Sequence, residues 1–213
     1  MVWPPAWPGR VRRKPARGRD IEAGPWQSPP IMRQLLLLRH AKSSWDDPGL
    51  PDHARPLNAR GRRAAQAMAQ AMRELGLSPD IVLVSSARRA LQTLDALRPL
   101  EAGTLVEPMD QLYLASWPTL LSVVQGVPDT ARSLMLIGHN PGLHELALAL
   151  LGAAGLPGAG PDAQRLAEGY PTGALAEFTI ASPWRLLESG SGRLVRFLAP
   201  RDLPRGEFPE IPA

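Results

Sequence analysis

The sequence predicts an α/β fold, a three-layer αβα sandwich around a mainly parallel central sheet, and three observations carry that prediction. Leu35–Leu38, Ile81–Val84 and Ser133–Ile137 are short apolar runs of the length expected for strands buried on both faces. Each run ends abruptly in a polar cluster: Arg39-His40-Ala41-Lys42, then Ser85 to Thr93 with Arg88 and Arg89, then Gly138-His139-Asn140-Pro141-Gly142. Each cluster leads, directly or through a loop, into a helical pattern. That is the repeated βα logic of a sheet covered on both faces.

The elements follow in order. After the leucine run, Ser43 to Leu57 reads as a polar loop with Asp46-Asp47-Pro48-Gly49 as turn chemistry. Asn58 is placed to cap a helix over Ala59–Leu75, in which Ala64, Ala65, Met68, Met72 and Leu75 recur at helical spacing. Gly76 and Ser78-Pro79 end it. The second strand feeds a helix to about Leu97. Thr104–Val106 reads as a third strand, Pro108 to Ala115 as a connection, Trp117–Gln125 as a helix, and Leu143–Leu156 as a core helix after the fourth strand. Gly152–Gly160 reads as a linker or insertion. Gly173–Ile180 and Arg193–Ala199 read as two late strands, at least one of them antiparallel to its neighbours.

Composition bounds the rest. The chain of 213 residues is long enough for one domain with a full core. It has no cysteine, which excludes disulfides, thiolate ligands and cysteine nucleophiles and fits a cytoplasmic protein. The net charge of +4 is concentrated at the start: residues 1–31 hold six basic and two acidic residues, leaving 18 of each sign beyond them. That segment also carries seven prolines and three tryptophans without apolar periodicity, so it is expected to be an unstructured extension. Met32 is the natural start of the compact unit, which is expected to span 32–203, with 204–213 a loose Pro-containing tail. The apolar stretches are too short or too interrupted for a membrane span, so no membrane partner is expected.

Ligands of open α/β sheets bind at the carboxyl edges of the strands. Assembled there, Arg39, His40, Arg89 and His139 make a site for an anion beside two imidazoles. Arginine forks suit phosphoryl oxygens, and an imidazole can attack phosphorus and carry the phosphoryl group. No His-x-x-x-His pair and no carboxylate cage is present, so neither a metal nor another cofactor is expected; nor is there a Gly-x-Ser-x-Gly nucleophile motif.

Leu36-Leu37-Leu38-Arg39-His40-Ala41-Lys42 resembles the Arg-His motif of the histidine phosphatase superfamily, which has the phosphoglycerate mutase-like fold. Ser85–Thr93 is similar to its second motif, whose arginine before Ala-x-Gln-Thr is Arg89 here, and Gly138–Gly142 is similar to the motif of the second histidine. Arg55-Pro56-Leu57-Asn58, Tyr170-Pro171-Thr172-Gly173-Ala174 and Pro200-Arg201-Asp202-Leu203 resemble the SixA-type phosphohistidine phosphatases. The resemblance spans roughly 32–203. It implies that His40 is phosphorylated, that Arg39, Arg89 and His139 form the phosphate pocket, and that Lys42 assists substrate binding. It also implies a phosphorylated protein substrate, such as a phosphorelay or phosphotransfer protein.

Arg88 is expected to point elsewhere, and His53 and His144 to be loop or surface histidines without a motif partner. After the third strand only Glu107 and Asp110 offer a carboxyl group, neither in the acidic motif of the mutases. Three other readings stay open: a phosphomonoesterase of small metabolites, a non-catalytic phosphoprotein-binding module, and nucleic-acid binding through residues 10–19. The last is disfavoured, because the basic excess lies outside the compact unit.

Overall fold

The structure is a computed structural model that describes residues 31–155 and 160–203. The extension, all but Ile31, the tail from 204 and positions 156–159 of the expected linker lie outside the described residues.

The four leucines sit in β1 (Arg33–Arg39), at the middle of a six-stranded sheet with β2 (Ile81–Ser85), β3 (Leu105–Met109), β4 (Ser133–Gly138), β5 (Leu175–Ile180) and β6 (Gly192–Leu198). The order is β3-β2-β4-β1-β5-β6. The pairs β1–β4, β4–β2 and β2–β3 are parallel, and β5 runs antiparallel to both β1 and β6. The sheet is therefore mixed and mainly parallel, with the three cluster-bearing strands contiguous.

Helices α1 (Ala59–Glu74) and α2 (Arg88–Leu97) lie against one face; α3 (Trp117–Gln125), α4 (Gly142–Gly155) and α5 (Gly160–Glu168) lie against the other. Because side chains alternate along a strand, Leu36 and Leu38 pack with Met68, Met72 and Leu94 on one side. Leu35 and Leu37 pack with Leu120, Leu146 and Leu166 on the other. A strand covered twice has no polar face, which is why its sequence is an unbroken apolar run. All four leucines are fully buried. Among the described residues no helix is long and apolar enough to cross a membrane.

Asn58 caps α1 through its side chain, accepting from the Gly61 amide at 2.7 Å. Two expectations need correction. The third strand does not stop at Val106 but continues through Pro108 to Met109. It is an edge strand paired only with β2, so a proline that cannot donate to a ladder costs nothing on its open side. The sequence reading also missed α5, a polar helix whose only buried side chains are Ala163 and Leu166. Gly152, at φ 68°, breaks α4 where the expected linker begins.

Candidate active site

The parallel register of β1 and β4 brings the two histidines together. Arg39 lies opposite Gly138, and the His40 amide donates to the Gly138 carbonyl at 3.1 Å, so His40 and His139 leave adjacent strands side by side. Their rings are 4.8 Å apart, centroid to centroid. The close turn after β4 needs a glycine: a Cβ on Gly142 would stand 1.9 Å from the Ala115 carbonyl oxygen. At the end of β2, α2 begins one residue before Arg89 and aims its side chain across both histidines.

Sequence motifs also pin the walls. Thr93 accepts from the Ala41 amide at 3.0 Å and donates to the Arg89 carbonyl at 2.7 Å, tying the strand end to the helix. Gln92 accepts from the Leu57 amide at 2.7 Å. The Tyr170 carbonyl receives Arg39 Nη1 at 2.7 Å and Asn140 Nδ2 at 3.0 Å, while the Tyr170 hydroxyl donates to the Leu37 carbonyl at 2.6 Å.

These contacts fix protonation as well as position. The Ala41 carbonyl can only accept, so His40 Nδ1, 2.7 Å away, carries the ring proton and Nε2 bears the unprotonated lone pair. Arg89 Nε donates to that Nε2 at 3.3 Å. Burial, with Arg89 and Arg39 close by, lowers the His40 pKa from 6.5 to about 4, so the ring is neutral at pH 7. His139 is lowered to about 3 by burial, His40 and Arg89. Its Nδ1 accepts from Arg89 Nη2 at 3.3 Å, which leaves its Nε2 to donate to Ser85 Oγ at 2.8 Å.

Arg39, His40, Arg89 and His139 thus meet in one open cleft of about 370 Å³, with Lys42 exposed at its edge. Glu107 and Asp110 do not line it. Arg88 is exposed and also outside it, as expected. The three innermost residues are not solvated strand-edge groups: His40, Arg89 and His139 are all buried. His53, expected in a loop or on the surface, sits half-buried in a short 3-10 turn and has partners, Ser86 Oγ at 3.0 Å and the Tyr113 ring in a T-shaped contact. His144 is not the loop or surface residue expected: it is half-buried in α4, donates to the Leu166 carbonyl at 2.8 Å and ties α4 to α5.

Asp52 and Tyr113 were missed. Among the described residues Asp52 is the only acidic one lining the cleft. Its carboxylate receives Arg89 Nη2 at 2.9 Å, the Tyr113 hydroxyl at 2.7 Å and Arg55 Nη1 at 3.0 Å, and its carbonyl receives Arg89 Nη1 at 2.5 Å. The Tyr113 hydrogen bond and the two arginines lower its pKa from 3.8 to about 2. The signal for Asp52 was weak, an acidic residue three before an arginine in a short turn. Tyr113 is one of only two tyrosines in the chain, and both serve this site.

The family model described as histidine phosphatase superfamily (branch 1) matches residues 35–112, from the first strand through the Arg89 motif. A protein from Agrobacterium tumefaciens described as a candidate phosphohistidine phosphatase SixA is 32% identical, with a TM-score of 0.66 over 78% of this chain and 97% of its own. The chain belongs to the histidine phosphatase superfamily. A candidate SixA from Nakamurella multipartitia is 28% identical, with a TM-score of 0.71 over 81% of this chain and 99% of its own. An uncharacterized protein of Mycobacterium tuberculosis is 36% identical over 77% of this chain and 100% of its own. The mixed sheet with helices on both faces is the phosphoglycerate mutase-like fold of this superfamily, and the superfamily implies phosphatase activity.

Proposed function

We propose that this histidine phosphatase acts without a metal, forms a phosphohistidine on His40, and removes phosphoryl groups from phosphohistidine displayed on another protein. The observation that carries the reading is the fixed tautomer of His40, which turns a neutral Nε2 lone pair into the cleft beside Arg89. In the first step Nε2 bonds to phosphorus, and the substrate's P–N bond breaks with its electron pair leaving on the substrate imidazole. In the second, water attacks phosphorus, the P–Nε2 bond breaks, and phosphate departs as His40 returns to its neutral form. Arg39 and Arg89 neutralise the phosphoryl oxygens. An arriving phosphoryl dianion raises the pKa of His139, which then gains a proton on Nδ1 to donate.

Substrate choice follows from the missing acid. An alkoxide leaving group needs a proton, and the one carboxyl group that lines the cleft among the described residues is held ionised. A phosphohistidine ring can arrive already protonated and leaves without that help. The cleft mouth supports a macromolecular substrate: Trp45 and Leu114 line it with 76% and 52% of their surface exposed. Candidate SixA relatives point the same way. The cytoplasm is the compartment proposed, given a chain without cysteine.

One observation favours a phosphomonoesterase instead. Asp52 would be a proton donor if phosphate binding drew Arg89 away from it and raised its pKa. Turnover of phosphohistidine protein, phosphoserine peptide and small alkyl and aryl esters by the purified chain decides between them. The proposal expects phosphohistidine fastest, aryl esters intermediate and alkyl esters slowest; equal rates on all would defeat it.

A further inference from the structure

Beside the catalytic cleft runs a second hollow that its chemistry does not use. It measures about 280 Å³ and is lined by Lys42, Arg60, Arg201 and Thr172 over apolar walls that include Pro171 and Pro200. Lys42 and Thr172 also line the catalytic cleft, so the two spaces adjoin. We propose that this hollow is a second anion subsite that holds an acidic side chain flanking the phosphorylated residue of a protein substrate; it rests on the function proposed above.

Charge is the first argument. Beyond residue 31 the chain carries equal numbers of basic and acidic residues, yet three cations line the hollow and, among the described residues, no carboxylate does. Among the described residues neither Lys42 nor Arg60 has a carboxylate within ion-pair distance. Among the described residues Arg201 is within ion-pair distance of Asp202 alone, at a loose 3.8 Å. Asp202 is already committed to Arg165 and to the Ala199 amide.

The second argument is that the backbone under Lys42 and Arg60 is fixed by the packing that fixes His40. The Asn58 amide donates to the Lys42 carbonyl at 3.0 Å. A Cβ on Gly61 would stand 2.0 Å from that same carbonyl oxygen, so the first turn of α1, with Arg60, is pressed onto the segment after β1 that carries the nucleophile. The Gly173 amide donates to the His40 carbonyl at 3.0 Å, which sets Thr172 and Pro171 beside the same segment. An anion seated in the hollow therefore has a defined place relative to a phosphoryl group on His40.

The shape is the third. The hollow is open to solvent, and its cations are exposed on flexible stems over proline and alanine walls. That suits a carboxylate reaching down from a chain lying across the surface. An enclosed metabolite would be gripped by buried groups instead.

The test compares the parent chain with the Arg60→Ala/Arg201→Ala double variant, neither position being part of the proposed catalytic machinery. Three substrates are compared: a phosphohistidine peptide with Asp and Glu at its flanks, the same peptide with Asn and Gln, and an aryl phosphate; a small bisphosphate is run beside them as a control. Surface charge pairs of this kind predict that the parent prefers the acidic peptide by roughly three- to thirty-fold in kcat/KM, carried mainly by KM. The double variant loses that preference, and its salt dependence, while keeping its rate on the neutral peptide and the aryl ester. Equal turnover of both peptides by the parent overturns the subsite alone. Equal loss on all three substrates in the variant also overturns it, because the residues would then act on the fold or the chemistry. Faster turnover of a small bisphosphate than of the acidic peptide would assign the hollow to a second phosphate instead. Absence of turnover on either phosphohistidine peptide, with the aryl ester still cleaved, overturns the function proposed above and the subsite with it.

Discussion

Replacing Asp52 by Asn tests how the cleft is poised. All three guanidinium nitrogens of Arg89 are engaged in the free site: Nε by His40, Nη1 by the Asp52 carbonyl, and Nη2 by the Asp52 carboxylate and His139. An incoming phosphoryl group must therefore compete with a carboxylate already seated on the arginine. Asp52→Asn keeps the shape and an acceptor for the Tyr113 hydroxyl, and removes only the charge. The Asp52 side chain is 47% exposed, so its pairing with Arg89 is worth no more than about 1 kcal/mol after solvent screening. Loss of that competition should tighten tungstate or inorganic phosphate binding about two- to five-fold by titration calorimetry. Asp52 also holds the His40 pKa up, so the variant's His40 should titrate lower still. With Asp52 as a positioning residue, turnover of a phosphohistidine peptide changes little. Weaker oxyanion binding in the variant would refute the competition argument. An approximately hundred-fold loss confined to alkyl esters would make Asp52 a proton donor and favour the phosphomonoesterase.

Four further outcomes are expected. With His40 near 4, kcat/KM for an aryl phosphate should lose no rate to histidine protonation until the pH falls below about 5; a limb near 6.5 would contradict a buried neutral nucleophile. Stability should fall in the same direction: His40 and His139 have folded pKa values below the ordinary 6.5, so the unfolded chain binds more protons as the pH drops from about 6.5 towards 3. Their contribution is full above that window and lost through it, followed by a thermal melt at each pH. Activity should survive EDTA, because arginines already supply the positive charge, and among the described residues no group of three or more His, Asp or Glu could hold a metal. Loss on chelation with recovery on added metal would count against the mechanism. Arg89→Ala should cost roughly a hundred- to a thousand-fold in turnover, the scale of one lost electrostatic donor. An unchanged thermal transition is needed to assign that loss to the site, and this matters here because Arg89 is buried.

The sheet was legible where burial is two-sided, because such strands leave unbroken apolar runs, and β1, β2 and β4 were found on that signal. The edge strand β3 was read two to three residues short because an exposed strand has no continuous apolar signature and Pro108 looks like a terminator. Helix α5 was invisible for a related reason: with two buried residues and a Gly/Pro-containing start, it offers almost no periodicity. In the site, residues following strands came out together, since strand ends in a parallel sheet converge whatever the loops do. Asp52 and Tyr113 arrive from a short turn after Pro51 and a turn after β3. Their meeting with Arg89 depends on loop paths that one-dimensional patterns do not encode. The tautomer of His40 was equally out of reach, being set by a backbone carbonyl.

The most direct test of the central claim is to trap the phosphoenzyme. Brief reaction of the chain with a labelled phosphohistidine peptide or aryl phosphate, quenched in alkali, should place an acid-labile, alkali-stable label on the peptide containing His40. A folded His40→Ala variant should carry no label and lose turnover. Label on His139 in that variant would reassign the nucleophile, and a folded His40→Ala chain with undiminished turnover would contradict the phosphohistidine mechanism altogether.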